Sequence, residues 1–321
     1  MTCTLLKSKL NGNMHSAIAL LTFNRLPVLQ ETLSGILKHC SQYPIHVFDD
    51  LSNHDGTTSW LTKDAKFIGT REDLMADVYL RPDGVHVYAG MKNLGVAGNS
   101  NRALKVLMES QAEHFILMND DLHVDGNFVE WYANAHTDLS VGMFSFCDFT
   151  HHPSYRWVDI RKRGYVVKIC PRMTAIMTSM TRKVIEAIGY YDAKFKKFGQ
   201  EHCEHMNRAR LAEFMNLDGM MQPQLDVHHY KSNEPAKTLL RHQECETSVQ
   251  GAVRNEANIE ADAVMQETGN SYRYKNLYRP FCLHKPKVAG SHGTQGIPVD
   301  NLETAYEIVT DFWPKPMSPC I

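Results

Sequence analysis

No stretch of this chain approaches the roughly 18 consecutive apolar residues that cross a bilayer; the longest run, Ala17–Leu21, closes on Thr22 and Asn24. Lys7 and Lys9 precede no apolar segment of the kind that directs export, so the expected location is the cytoplasm and no integral membrane segment is expected. None of the eight cysteines stands in a C-x-x-C pair, which excludes a zinc ribbon or a thioredoxin-like site and leaves reduced thiols as the expected state. An excess of either charge is also missing: 34 Lys and Arg against 36 Asp and Glu give a net −2, with no global pull toward nucleic acid or anionic lipid. There is no internal repeat. Neither a glycine-rich phosphate loop after the first strand nor a P-loop lysine is present.

What is there is enough apolar material for a core, 43% of 321 residues, and that length suits one large α/β unit with an appendage. Short apolar runs alternate with amphipathic stretches through the first half, the texture of a mostly parallel sheet with crossover helices. Ala17–Leu21, Ile45–Phe48, Val85–Tyr88, Phe115–Met118 and Val141–Phe146 read as strands. Pro27 suits a helix's first turn, with Val28, Leu29, Thr32, Leu33, Ile36 and Leu37 on one face, and a second helix is expected from about Asn99 to Met108. Further on, Met173–Met180 reads as a strand, Arg182–Ile188 as a helix stopped by Gly189, Gly199–Leu211 as a helix and Gln224–Tyr230 as a short strand. Beyond Ser232 the pattern weakens to helical stretches near Ala236–Gln243 and Val253–Glu267. The expected organisation is one domain over 1–231, with a nucleotide half (16–125) and an acceptor half (126–231), and a mixed, partly helical appendage over 232–321.

Each of the first four strands runs into polar residues at its carboxyl end, where open parallel sheets bind ligands. The sharpest of these ends is Asn119-Asp120-Asp121, whose carboxylates suit a hard divalent ion that would neutralise a diphosphate. Glu201 and Glu204 lie three apart in a helix start and share a face with Arg208; a carboxylate aimed into a cleft there can act as general base on a hydroxyl. In His228-His229, strand alternation sends only one imidazole toward the site.

In this order the pieces resemble the family-2 glycosyltransferases and related GT-A enzymes, from about Ser16 to about Tyr230. Ala17–Arg25 resembles the opening strand and T-x-N-R turn, Val47–Ser52 the V-x-D-D-x-S segment, and Asn93–Asn101 the pattern lining the donor pocket. Leu117–Asp121 resembles the N-x-D variant of the D-x-D metal motif, and Ile188–Asp192 the turn before the acceptor side. Gly199–Glu204 falls where the family carries its catalytic acid, with Glu201-His202 standing in place of Glu-Asp.

The resemblance implies a Rossmann-like GT-A sheet and a nucleotide-diphosphate sugar donor, a UDP-sugar first among candidates. Thr22, Asn24, Arg25, Asp49, Asp50, Asn93, Gly98, Asn101, Asn119 and Asp120 would contact the donor. Asp121 would hold Mn²⁺ or Mg²⁺ with His229, or His228 as the alternative. Glu201 would be the base of an inverting transfer, with Glu204, Arg208 and Trp157 on the acceptor side.

The default acceptor is a saccharide or glycoconjugate. Two basic, aromatic stretches favour a polyanion as the alternative, such as DNA carrying hydroxymethylated bases. One holds Arg156, Arg161, Lys162, Arg163, Lys168 and Arg172 against the single acid Asp159; the other spans 272–287 with no acid. Two other classes compete: a nucleotidyltransferase, which would release pyrophosphate, and a non-catalytic nucleotide-sugar-binding module, which would bind donor without turnover.

Overall fold

A computed structural model describes residues 15–146, 158–169, 176–193, 195, 201–217, 220–221, 223–225, 228–229, 237–242 and 297–299. Its first strand, β1 (Ser16–Thr22), is buried along its whole length, as expected of a central strand covered on both faces. Then come α1 (Leu26–Cys40), β2 (Ile45–Asp49), α2 (Thr57–Thr62), β3 (Lys66–Arg71), β4 (Ala76–Leu80), β5 (His86–Gly90) and α3 (Gly95–Glu109). The middle of the chain supplies β6 (His114–Asn119), β7 (Leu122–Val124), α4 (Phe128–Leu139), β8 (Met143–Phe146), β9 (Val158–Lys162), β10 (Tyr165–Ile169) and β11 (Met177–Thr181). It continues with α5 (Arg182–Ile188), α6 (Glu201–Leu211), β12 (Asn216–Leu217), β13 (Met220–Met221), β14 (Pro223–Leu225) and β15 (His228–His229). Last come β16 (Lys237–Thr238), β17 (Leu240–His242) and β18 (Ile297–Val299).

The main sheet runs β18-β9-β10-β14-β8-β11-β6-β1-β2-β5-β4-β3. Its heart is parallel, since β1 pairs in parallel with both β2 and β6 and β2 with β5. Antiparallel β11 flanks β6, and the antiparallel pair β4 and β3 extends the opposite edge. This is the expected α/β sheet with a parallel core. The chain moves outward from β1 to β2 to β5, then returns to place β6 on the other side of β1. The strand order reverses between β1 and β6, and the crevice at their carboxyl ends is the topological switch point.

Two apolar layers sandwich the sheet. One face sets Ile18, Leu20, Val47 and Ile116 against Leu29, Leu33 and Ile36 of α1 and Phe128, Val129 and Tyr132 of α4. The other sets Ala17, Ala19, Phe48 and Leu117 against Ala97, Ala103, Leu104 and Leu107 of α3, with Met206 and Ala209 of α6. The alanines of β1 and α3 bring that helix close to the strand.

At the amino end of β6 a polar chain is buried in this packing. The Ser16 hydroxyl meets His114 Nδ1 at 2.9 Å, and His114 Nε2 meets the Ser179 hydroxyl at 2.8 Å. Ser179 also meets His136 Nε2 at 2.8 Å, and His136 Nδ1 donates to the Val141 carbonyl at 2.6 Å. Burial pulls His136 down to about 4 and His114 well below the usual imidazole range.

The structure differs from the sequence reading at several elements. The strand expected third is the fifth, because the β3–β4 hairpin precedes it. Helix α3 begins at Gly95, four residues before the expected Asn99, because the Asp50 carboxylate accepts the backbone N–H groups of Leu94 and Gly95 and so caps a helix start that Gly95 and Gly98 disfavour. The stretch 236–243, expected helical, instead holds β16 and β17. In β17, Leu240 and His242 pair with Val124 and Leu122 of β7, and buried Leu239 and Leu240 join the α1 face of the core. The helix expected at Val253–Glu267 lies outside the described residues.

Candidate active site

Asp120 and Asp121 follow the last residue of β6, next to Thr22 at the end of β1. Parallel pairing brings these ends together, with Leu21 opposite Asn119. The Thr22 hydroxyl donates to Asp120 Oδ2 at 2.6 Å. Arg25, in the turn after β1, pairs with Asp120 and, at 3.1 Å, with Asp121. From α1 the Thr32 hydroxyl donates to the Asp120 carbonyl at 2.6 Å and accepts the Leu122 N–H at 3.3 Å, fixing the turn that carries both acids. Asp120 is wholly shielded from solvent. Its carboxyl is pushed up to about 6, mainly by burial and further by the Asp121 charge, against the opposing pull of Arg25.

The turn carrying Arg25 is stiff. Asn24 adopts a left-handed backbone (φ 51°), a conformation asparagine tolerates better than most residues. Its N–H donates to the Ser52 hydroxyl at 2.7 Å, and its Oδ1 accepts the N–H groups of Asn53 and His54. The first two strand ends are thereby tied into one ledge.

Asp49 and Asp50 are adjacent and both buried, yet they do different work. Asp49 accepts from the Ser52 N–H at 3.1 Å and from the hydroxyls of Ser52 and Thr58, closing the turn after β2. Asp50 caps α3 and accepts from Arg102 Nη1 at 2.7 Å. Arg102 also donates to the carbonyls of Leu74, Met75 and Lys92, so one buried guanidinium gathers β2, the β3–β4 hairpin and the loop after β5. A Cβ on Gly90 would fall 2.7 Å from the Asp49 carbonyl oxygen and 2.8 Å from Arg102 Nη1, so this close approach requires glycine. Asn93 donates to the Asp50 carbonyl at 3.0 Å, and Gly98 packs against Leu94.

Asn101, one turn further along α3, makes reciprocal bonds with the backbone of Tyr191 (2.9 and 2.8 Å), joining α3 to the turn after α5. Beyond that turn, Glu201 opens α6 and is 4% exposed, with Oε2 unpartnered among the described residues. Glu204 and Arg208 form a bidentate pair (2.6 and 2.8 Å), and the same guanidinium donates to the carbonyls of Ile188 and Tyr190.

Of the expected metal ligands, Asp121 stands at the crevice. The backbones of His228 and His229 form β15, paired with Thr238 and Lys237, and their side chains are outside the description. No group of three or more His, Cys, Asp or Glu side chains with metal-holding geometry occurs among the described residues. Trp157 and the basic stretch 272–287 lie outside the described residues. Arg161, Lys162, Arg163 and Lys168 belong to the β9–β10 hairpin, where Arg163 donates to the Asp138 carbonyl. Sequence reasoning missed Arg102 and the second role of Thr32. A threonine on the apolar face of α1 was the available sign for the latter, whereas nothing in the sequence distinguished Arg102 from a surface arginine of α3.

Among the described residues, no helix is long and apolar enough to cross a membrane. A comparison with curated proteins returns no match. Among solved structures, the mannosyltransferase PcManGT from Pyrobaculum calidifontis in complex with GDP-Man and Mn2+ is 15% identical, with a TM-score of 0.43 over 61% of this chain and 52% of that one. GalNAc-T7 with UDP, GalNAc and Mn2+ is 14% identical, with a TM-score of 0.48 over 67% of this chain and 43% of that one. The chain therefore spans about half the length of these structures, or less. The family described as Glycosyl transferase family 2 matches the stretch that contains β1, β2, β5 and β6 and the ledge at their ends. That match covers residues 17–158 of this chain.

Proposed function

We propose that this protein is an inverting glycosyltransferase that moves a sugar from a nucleotide-diphosphate donor to a saccharide hydroxyl. The observation that carries the reading is the pair Asp120–Asp121 at the switch point between β1 and β6, backed by Thr22, Thr32 and Arg25. That crevice is where an open α/β sheet receives a nucleotide. The donor set suits a hard divalent ion: Mg²⁺ and its like commonly take one or two carboxylates and complete their shell with phosphate oxygens and water. Asp121, whose side chain keeps 11% exposure beside the crevice, would hold that ion, with His229 as the second protein ligand. Such an ion supplies Lewis-acid stabilisation of the diphosphate's developing charge.

The chain's own groups do the rest. Arg25 sets a fixed positive charge beside the carboxylates and orients the diphosphate. Asn24 and the ledge around Asp50 and Asn93 hold the nucleoside. Glu201 Oε2 takes the proton of the acceptor hydroxyl as that oxygen bonds to the anomeric carbon. The bond from that carbon to the phosphate oxygen breaks, and its electron pair departs with the nucleoside diphosphate.

A thermal-shift panel of UDP, GDP and CMP and their common sugars, each with and without Mn²⁺, tests the donor site, because a ligand bound only to the folded state raises the melting temperature by mass action. One nucleotide family is expected to give a shift that needs the metal and disappears in Asp121→Ala. Glu201→Gln should keep that shift and lose transfer by at least about a hundredfold. A panel with no shift from any nucleotide would overturn the donor site.

A further inference from the structure

The residue after the proposed base is a histidine where the resembling family carries an acid, and the structure gives that histidine two partners. His202 Nδ1 lies 3.4 Å from the Tyr191 hydroxyl, and His202 Nε2 lies 3.4 Å from Glu201 Oε1. Tyr191 is itself fixed from several sides. Asn101 holds its backbone, His205 stacks on its ring at 4.2 Å and 11°, and the His202 ring meets it edge-on at 5.7 Å and 84°. His205 is anchored in turn by its Nε2 donating to the Gly189 carbonyl at 3.2 Å.

We infer that His202 is a positioning residue for Glu201, held by Tyr191 in the tautomer that donates from Nε2 to Oε1 and leaves Oε2 for the acceptor hydroxyl. Glu201 can only accept, so an imidazole lone pair turned toward it would be repelled, and the Nε2–H form is the one the carboxylate selects. That form leaves Nδ1 as an acceptor, which the Tyr191 hydroxyl fills as donor. Burial, reinforced by the Glu201 charge, pushes the phenol far above its ordinary range, so Tyr191 keeps its proton and stays a donor. Glu201 Oε2 is a buried carboxylate oxygen without a hydrogen-bond partner among the described residues. Contacts of about 3.4 Å are on the long side, as catalytic hydrogen bonds often are before substrate tightens them. Among the described residues, the other charged or titratable groups that act on the cluster are Glu204, Arg208 and His205 on α6; Glu204 and Arg208 are bound to each other, and burial pulls His205 down to about 3, where it stays neutral.

The inference rests on the reading of Glu201 as base, and two measurements separate their fates. The first needs no substrate: ¹⁵N-edited imidazole spectra of the full chain at pH 8, with the His202 signals identified by their loss in His202→Gln. The expected result is an Nε2–H tautomer in the native protein, with the Nδ1–H fraction rising in Tyr191→Phe and the Nε2 signal moving in Glu201→Gln. An Nδ1–H tautomer in the native protein, or spectra unmoved by both substitutions, overturns the inference. The second is the split between kcat and KM, using the UDP- or GDP-hexose that gives the largest thermal shift, with Mn²⁺. The hydrogen bond from His202 aims Glu201 and touches no substrate, so His202→Leu should lower kcat by at least about tenfold and leave KM within about twofold. His202→Gln, which restores an N–H donor at the same reach, should return kcat to within about threefold of native. An unchanged kcat in His202→Leu overturns the positioning role, whereas native turnover in Glu201→Gln overturns the base assignment beneath it.

Discussion

Asp120 shows two opposed effects on one side chain. Burial favours its neutral form and Arg25 favours its charge, and the balance rests near 6. Because this value lies above that of an unfolded aspartate, the ionised carboxylate costs stability that grows as pH rises from about 4 through 6. Arg25 offsets that cost only while the carboxylate is charged. Arg25→Met should therefore lower stability by about 3 kcal/mol at pH 8, and the deficit should shrink as pH falls below 6; urea midpoints of both proteins across that range check it. Equal deficits at pH 5 and pH 8 would show that the pair is not what holds the turn. The sequence singled out both members of this pair, but as separate donor contacts. It also could not separate Asp49 from Asp50, since nothing in the dipeptide says which carboxylate will close its own turn and which will reach a helix more than forty residues away.

At the scale of elements, Arg102 replaces what a continuous hydrophobic face does elsewhere. It joins β2, the β3–β4 hairpin and the loop after β5 through one buried guanidinium, with Asp50 as counter-ion at 2.7 Å. Arg102→Met strands that carboxylate and three carbonyls. It should cost about 3–5 kcal/mol, read from the urea midpoint, and loosen the ledge so that any nucleotide-induced thermal shift falls as well. The strands of the parallel core were legible because each is a short apolar run ending in polar residues. The hairpin was not: β3 is exposed along most of its length at the sheet's edge, lacks alternation and carries an irregularity at Phe67–Gly69. Helix α4 was missed although Asn127 and Glu130 form a reciprocal start signal, with the Asn127 side chain accepting the Glu130 N–H at 3.3 Å. The strand at 240–242 could not have been read locally, since its partner is β7, more than a hundred residues earlier.

The molecule as a whole encloses several neutral imidazoles. Burial lowers His46 and His136 to about 4 and His205 to about 3, and drives His114 lower still than an exposed imidazole. Unfolded, each binds a proton near pH 6.5, so the unfolded chain takes up more protons as pH falls and stability drains away below that point. At about 1.4 kcal/mol per pH unit for each ring, four rings remove on the order of 5 kcal/mol between pH 5.5 and 4.5, comparable to the whole stability of many domains. Cooperative acid unfolding is expected near pH 5, followed by circular dichroism; retention of the native signal at pH 4 would contradict it. The serine–histidine chain at the base of β6 carries a further consequence. Its last acceptor, the Val141 carbonyl, cannot donate, so His136 must give its Nδ1 proton, Ser179 must point at His136, His114 at Ser179 and Ser16 at His114. Four hydrogens thus share a single polarity across β1, β6, β11 and α4, and none can turn around unless the others do. Deuterium should enter those sites only when the four elements part together, making their exchange a clock for opening of the entire sheet rather than of any one segment.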